Sequence, residues 1–193
     1  MKKWVAVFGV CVGLVSSACS VSAKPLQLYG PIADHAVIQR EAPIRFSGSG
    51  QPSETLTISF ANQTLPVNID DTGEWTAAFD PLPAGGPYTL SISSNNARIT
   101  ADDLLIGDVW LCSGQSNMEY PVYRALNPDT EIAGPHSDQI RLFNVPSETA
   151  LSPSDTFLTP PNWQIASPET VRDFSAVCYF TAKDIFDDVP MGL

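Results

Sequence analysis

The sequence predicts a mixed fold class: a small β-sandwich followed by the first part of an α/β domain that is truncated. Three observations predict it. Short β-rich segments with turn clusters between them fill residues 24–103, a continuous apolar run begins near Leu104, and one clear helical pattern follows. The chain also spreads 17 prolines over 193 residues, which argues against long helices because proline removes a backbone donor.

The β-rich half, residues 24–103, is expected to fold as a β-sandwich-like domain. Leu56, Ile58 and Phe60 alternate with polar residues, which is typical of a strand with one buried face. Five or more such strands separated by turns indicate a small sandwich. The β-rich segments are HAVIQR, PIRFSGSG, TLTISFANQTLPVNI, GEWTAAF and YTLSISS, and the turn clusters are residues 49–52, 70–73 and 83–87.

Residues 104–193 are expected to be the N-terminal part of an α/β domain. The run LLIGDVWLC, from Leu104 to Cys112, fits a strand buried on both faces, as in a parallel sheet. A second strand is predicted at Ile140–Val145. Apolar residues recur near one face of Thr170–Phe186, which predicts a helix.

The first 23 residues are predicted to be a signal peptide. Lys2 and Lys3 precede the apolar run Trp4–Val15, whose 12 residues are too few for a membrane span of roughly 20. Val21–Ala23 fits a cleavage site of small residues. The mature protein is therefore expected to be periplasmic or secreted, with lipoprotein processing at Cys19 as the alternative.

Composition excludes some partners and leaves the state of the cysteines open. A net charge of −11 repels phosphate backbones, so we expect no nucleic acid and no basic membrane patch. No transmembrane segment is predicted. Cys112 and Cys178 lie beyond the signal, where they either pair in an oxidising compartment or stay as buried free thiols in apolar segments.

Ser116 is the residue whose setting points to chemistry, within DVWLCSGQSNMEY, Asp108–Tyr120. A buried strand is expected to end at about Cys112, and Gly114 permits a sharp turn after it. Such a turn places the hydroxyl at the carboxyl edge of the sheet, where α/β sites form. The backbone N–H of Ser116 is then a candidate oxyanion donor. The structural alternative is an ordinary turn at a strand exit.

Several segments together resemble one known family. DVWLCSGQSNMEYPV resembles the nucleophile block of the sialate O-acetylesterase family, which belongs to the SGNH-type hydrolases. Further likeness lies in ADHAVIQREAPIRFSGSG, DTGEWTAAFDPLPAGGPYTLSIS and PETVRDFSAVCYFTAKDI, so that the resemblance covers almost the whole mature chain.

The resemblance implies an exported carboxylic ester hydrolase that removes O-acetyl groups from carbohydrates. It implies an SGNH-type α/β domain joined to β-rich regions, with no metal or organic cofactor. Ser116 would be the nucleophile and would supply a backbone oxyanion donor. Gln115, Asn117 and Glu119 are expected to contact the partner, an O-acetylated sugar or glycan.

The family's catalytic Asp and His come well after the nucleophile, and no matching motif occurs before Leu193. Only His35 and His136 are present, and neither is expected to be the base. Since a serine hydroxyl without a base is a poor nucleophile, little turnover is expected from this chain alone. The alternative function is a non-catalytic carbohydrate-binding or structural fragment.

Three further residues have a structural interpretation that outweighs a functional one. Trp110 and Trp163 are expected to be core residues rather than platforms for sugar rings. Arg141 is expected to form a salt bridge at a strand edge rather than to meet the carboxylate of an acidic sugar.

Overall fold

Strands make up most of the regular structure, and helices are few. The computed structural model describes residues 24–147 and 149–193, so the predicted signal peptide and Cys19 lie outside the described residues. The strands are β1 (Gln27–Leu28), β2 (Val37–Gln39), β3 (Ile44–Ser49), β4 (Thr55–Phe60), β5 (Gln63–Asn68), β6 (Glu74–Phe79), β7 (Gly85–Ser93), β8 (Arg98–Val109), β9 (Ile140–Leu142), β10 (Gln164–Ile165) and β11 (Met191–Gly192). The helices are α1 (Pro128–Ala133), α2 (Pro168–Arg172) and α3 (Ala176–Ile185), with a 3₁₀ turn at Val122–Arg124. Across these described ranges, every helix is too short or too polar to traverse a bilayer.

Two sheets contribute to one hydrophobic core in the first half of the chain. β1, β3 and β6 form a three-stranded antiparallel sheet, and β4, β5, β7 and β8 belong to a larger one. Leu56, Ile58 and Phe60 are all buried on the larger sheet, which confirms the alternation seen in the sequence. Phe46 of the smaller sheet meets Phe60 edge to face, with ring centroids 5.3 Å apart.

The segment Thr55–Ile69 forms two strands rather than one. β4 and β5 pair antiparallel with Phe60 opposite Gln63, so the connection is a two-residue hairpin turn. Ala61 and Asn62 occupy that turn with φ of 46° and 64°, the left-handed conformation that tight hairpins require. The sequence signal was weak because alanine rarely adopts this conformation.

β8 is a long central strand that connects the β-rich half to the second half. It pairs antiparallel with β7 and parallel with β2 and β11. The domain boundary predicted between residues 103 and 104 falls within this strand, and the division into domains stays a prediction. β8 ends at Val109, three residues before the predicted end at Cys112.

The second half of the chain contains short strands, three of which run parallel with the end of β8 in the sheet or pair at its edge, and short helices. β11 lies between β8 and β9 and is parallel to both, while β10 pairs antiparallel with β9 at the sheet edge. The single helix predicted over Thr170–Phe186 is wrong, because the chain breaks between α2 and α3. Ser175 causes the new start: its side chain accepts a hydrogen bond from Cys178 N and caps α3.

Candidate functional site

The parallel strands bring three chain segments to one edge of the sheet. Trp110 N donates to Gly192 O at 2.8 Å, which extends the β8–β11 pairing just beyond β8. Phe143 N donates to Leu193 O at 2.8 Å on the other side of β11. The residues after β8, β9 and β11 therefore meet at the carboxyl edge, where α/β proteins place their ligands.

Ser116 lies in an exposed turn on this edge. Gln115 O accepts hydrogen bonds from Met118 N at 2.8 Å and from Glu119 N at 3.2 Å, which closes one helix-like turn around Ser116. The Ser116 side chain is exposed to solvent. The hydroxyl is therefore accessible to a substrate, and the catalytic role of Ser116 stays a prediction.

Gly114 is required for a different reason from the one the sequence suggested. Its φ lies outside the left-handed region, so the turn does not depend on glycine's conformational freedom. A Cβ placed on Gly114 would instead lie 3.1 Å from Met118 Cβ. The glycine therefore permits the close approach of Met118, which packs beneath the turn against the buried cluster around α3.

A disulfide fixes the start of the Ser116 loop. Cys112 and Cys178 are bonded, with their Cα atoms 5.9 Å apart and a sequence separation of 66. This settles the alternatives that the sequence left open in favour of pairing. The bond ties the segment four residues before Ser116 to the first turn of α3.

The break between α2 and α3 fixes the other end of the loop. Tyr120 O accepts a hydrogen bond from Ala176 N at 2.8 Å, and Phe174 O accepts one from Val122 N at 3.1 Å. Ser175 Oγ also lies 3.5 Å from Met118 Sδ. The loop that carries Ser116 is therefore held on both sides by the same short segment.

A cavity of about 630 Å³ opens beside this loop. Its aromatic lining comes from Trp110, Phe143, Phe157 and Trp163, and its carboxylates include Glu119. A volume in the range of roughly 300–1,000 Å³ is usual for sites that bind small molecules. Sequence reasoning missed Phe143 and Phe157. Phe143 directly follows β9, so the end of that strand was the signal that could have placed Phe143 at this edge.

The two tryptophans behave differently from each other. Trp163 is 6% exposed, stacks on Phe143 with centroids 5.2 Å apart and donates its indole N–H to Pro31 O, which confirms its core role. Trp110 is 48% exposed, so the prediction that it is a core residue was wrong. The cause is that β8 ends at Val109, one residue before Trp110, so the Trp110 ring lines the cavity rather than the sheet core.

Of the residues predicted to contact substrate, only Glu119 lines the cavity. Gln115 and Asn117 are exposed on the turn beside it, and Ser116 lies between them. Asp173, in the α2–α3 break, also lines the cavity and was missed by the sequence. Asp173 could have been identified only if the break between α2 and α3 had been recognised, and the helical pattern continues across that break.

Both histidines are engaged away from Ser116. His136 Nε2 donates to Ile132 O at 2.8 Å, and Nδ1 lies 2.6 Å from Tyr179 Oη. Burial raises the pKa of the Tyr179 hydroxyl, which stays protonated. Both ring nitrogens of His136 are therefore hydrogen-bonded to groups other than Ser116.

His35 belongs to a separate network with Asp103 and Arg141. His35 Nδ1 and Arg141 Nη1 each lie 2.7 Å from Asp103 Oδ2. The contact between Arg141 and Asp103 confirms the predicted salt bridge, and the Arg141 side chain is buried. Its hydrogen bond, followed by that of His35, lowers the pKa of Asp103, so the carboxylate stays charged. Among the residues that the structure describes, no group of three or more ligating side chains is arranged to hold a metal.

Comparison with known proteins agrees with this geometry. A scan against family models found no match. The chain is 26% identical over 207 residues to a sialate O-acetylesterase of Pongo abelii and 27% to that of Mus musculus, each match covering 97% of the chain. The matches cover 40% and 38% of those proteins, so the chain spans about two fifths of their length.

A solved structure is also similar to this chain in its fold. A carbohydrate acetylesterase from Xanthomonas citri matches 87% of the chain with a TM-score of 0.82 and 34% identity, over 39% of its own length. The fold is therefore similar to the matching part of a carbohydrate acetylesterase. Over almost its whole length, the chain is also similar to the curated sialate O-acetylesterases, and the two comparisons together support a sialate O-acetylesterase-like family.

Proposed function

We propose that this chain carries the nucleophile-bearing part of a carbohydrate O-acetylesterase. The observation that carries the proposal is the exposed Ser116 turn, held beside an aromatic cavity at the carboxyl edge of the parallel strands. The curated relatives are named sialate O-acetylesterases and the structural neighbour a carbohydrate acetylesterase. The partner we propose is accordingly an O-acetylated sugar or glycan.

The proposed reaction is acyl transfer. Ser116 Oγ attacks the acetyl carbonyl carbon, the sugar oxygen leaves, and the Ser116 backbone N–H supports the oxyanion. A base takes the hydroxyl proton and returns it to the leaving sugar oxygen. Water then attacks the acetyl-serine ester and releases acetate, which restores Ser116. Gln115, Asn117 and Glu119 would contact the sugar on the rim of the turn.

The base is proposed to be the Asp/His pair that the family places after the nucleophile. His35 and His136 hydrogen-bond to Asp103 and Tyr179, respectively, which supports assigning the base elsewhere. Without it, Ser116 is expected to lose several orders of magnitude in rate. The 193-residue chain by itself would then act as a non-catalytic carbohydrate-binding or structural fragment, which is the second candidate function.

The finer description of the fold belongs to the same proposal. We propose that residues 24–103 form a β-sandwich-like domain, because two sheets share one core there. Residues 104–193 would be the first part of an SGNH-type α/β domain. Export to the periplasm or medium, after cleavage at Ala23, is proposed from the sequence, and N-terminal sequencing of the mature protein tests it against lipidation at Cys19.

The esterase proposal is tested by fusion to a complete relative. The chain replaces the matching two fifths of the Xanthomonas citri carbohydrate acetylesterase, and acetate release from acetylated xylo-oligosaccharides is measured. We expect activity that Ser116→Ala lowers at least a thousandfold. Ser113→Ala removes the hydroxyl of a neighbouring serine that is exposed on the same loop, so it serves as the matched control and should retain activity. Equal activity in Ser116→Ala and the parent fusion would end the proposal.

A further inference from the structure

A second cavity lies next to the one beside the Ser116 loop. It has a volume of about 420 Å³, and we call it the distal cavity. Its walls come from the chain just after β1, from β3 and from the loop 154–157, so most of it is built by the β-rich half. Pro31 and Phe157 line both cavities, which places the two cavities side by side with these residues between them.

The alternation of β3 sets the floor of the distal cavity. Ile44 and Phe46 are buried in the core. Arg45 and Ser47 alternate with them and therefore lie on the outer face of the three-stranded sheet. Tyr29 N donates to Ser47 O at 2.8 Å, which holds Tyr29 beside this face. A regular antiparallel sheet thus presents an aromatic ring, a guanidinium and a hydroxyl to the same cavity.

An aromatic cluster fixes the wall that the two cavities share. Trp163 donates its indole N–H to Pro31 O at 2.7 Å, and its ring stacks on Phe143 with centroids 5.2 Å apart. Phe157 packs edge to face on the same Phe143 ring, with centroids 5.8 Å apart. Both residues of the shared wall are therefore held by one buried pair of rings, and the relative position of the two cavities is part of the fold.

The distal cavity carries groups that recognise sugars. Arg45 is a charged hydrogen-bond donor, and Asp155 is a charged acceptor. The backbone of Asp155 is tethered to the cavity, because its carbonyl oxygen accepts a hydrogen bond from Gly30 N at 3.1 Å. Neighbouring hydroxyls of a sugar both accept and donate hydrogen bonds, while the apolar face of the sugar packs on a ring such as that of Tyr29. A donor, an acceptor and an aromatic ring in one cavity fit a sugar unit.

We propose that the two cavities form one groove for an oligosaccharide. The acetylated unit lies at the Ser116 loop, and a neighbouring unit of the same glycan lies in the distal cavity. The occupant follows from continuity, because a glycan that crosses the wall at Pro31 and Phe157 passes directly from one cavity into the other. This assignment rests on the proposed esterase function, and it names the substrate class as O-acetylated oligosaccharides, with the β-rich half as part of the binding site.

The dependence of acetate release on glycan length tests the groove in the fusion with the complete Xanthomonas citri acetylesterase. Two pairs of probes are compared: O-acetylated xylotetraose with O-acetylated xylose, and O-acetylated sialyllactose with O-acetylated N-acetylneuraminic acid. In the pair that the fusion hydrolyses faster, kcat/KM should be at least tenfold higher for the longer probe, because contacts in the distal cavity add binding energy. Equal kcat/KM for long and short probes, in a fusion that releases acetate, would overturn the inference.

Variants of the distal cavity should change the preference for length. Arg45→Ala should lower the ratio of kcat/KM for the longer probe to that for the shorter one about tenfold, mostly through KM, because a charged donor to a sugar oxygen is lost. Asp155→Asn should lower the same ratio about threefold. Arg98→Ala removes an exposed strand arginine outside both cavities and is the matched control. An unchanged ratio in Arg45→Ala, with folding confirmed by circular dichroism, would contradict the assignment of Arg45.

Binding by the 193-residue chain is a second readout, which does not depend on turnover. The longer probe of each pair, without its acetyl groups, is titrated into the chain and followed by amide chemical shifts. The shifts should saturate and include residues 29–32, 45–47 and 154–157, and Arg45→Ala should raise the Kd about tenfold. The absence of saturable shifts in these segments with both probes would overturn the inference.

The two proposals fail separately. Ser116-dependent acetate release without a preference for the longer probe removes only the inference about the groove. Saturable binding in the distal cavity, without Ser116-dependent acetate release from any probe, removes only the esterase proposal.

Discussion

Breaking the Cys112–Cys178 disulfide should destabilise the fold strongly. The bond spans 66 positions, and the chain-entropy relation for a closed loop of that length gives about 4 kcal/mol at 25 °C. Domains are typically stable by about 5–15 kcal/mol, so this loss is a large share of the total. We therefore expect Cys112→Ser/Cys178→Ser to unfold at a much lower urea concentration.

The effect should also reach the candidate site. Cys112 anchors one end of the Ser116 loop covalently, while the other end is held by non-covalent contacts such as the hydrogen bond from Ala176 N to Tyr120 O. Amide hydrogen exchange over residues 113–120 should accelerate in the double variant more than exchange in the β3–β6 sheet.

Equilibrium urea unfolding of the oxidised parent, the double variant and the thiol-reduced parent measures this prediction. The reduced parent and the variant should agree within about 1 kcal/mol, because both lack the same cross-link. A stability loss below about 1 kcal/mol would refute the reasoning, provided that alkylation confirms an intact bond in the parent. Free Cys112 and Cys178 thiols in the parent would refute the pairing itself.

Three more predictions concern single side chains. Hydrogen bonds from Arg141 and then His35 lower the pKa of Asp103 from its ordinary value of 3.8. The charged Asp103 carboxylate therefore contributes to folding stability above about pH 4, and this contribution is lost as the pH falls through the lowered pKa. Asp103→Asn should lower the free energy of unfolding at pH 7, and its difference from the parent should shrink below pH 4 in acid titrations. Gly114→Ala should cost about 1 kcal/mol by thermal melting, because Met118 must shift, and no cost would contradict the close approach. Phe46→Ala should cost about 3–5 kcal/mol in urea unfolding, since it deletes a buried ring between the sheets; a loss under 1 kcal/mol would contradict a shared core.

The regular strands could be predicted from the sequence because their pattern is local. Alternation in β4 places Leu56, Ile58 and Phe60 on one face, and the structure buries all three. The continuous apolar run beginning at Leu104 likewise indicated a central strand. The long-range pairing of β8 with β7, β2 and β11 could not be predicted, because it depends on segments far apart in the chain.

Errors arose where tertiary contacts override a local pattern. The helical period continues across Asp173–Ser175, yet a capping serine and the bonds to the Ser116 loop end one helix and begin another. Trp110 follows an apolar strand and so suggested a core residue, but the strand ends one position before it. Exposure of a single ring at a strand end leaves no trace in hydrophobic periodicity.

The exposed loop around Ser116 was predictable from the sequence, but the residues that line the neighbouring cavity were not. The strand exit and the motif around Ser116 indicated an exposed turn at this edge of the sheet, and the role of Ser116 as nucleophile stays a prediction. The cavity lining from Phe143, Phe157 and Asp173 comes from segments that fold onto the loop from a distance. Neither their identity nor the disulfide partner of Cys112 follows from the motif itself.

Covalent labelling tests the central claim about Ser116 most directly. The fusion with the Xanthomonas citri enzyme is treated with a fluorophosphonate, digested and mapped by mass spectrometry, with the Ser116→Ala fusion as control. The account predicts a single phosphonylated peptide that contains Gly114–Met118 modified at Ser116, absent from the variant, together with loss of acetate release. Labelling at Ser113 or any other serine, with Ser116 unmodified and acetate release lost, would contradict it.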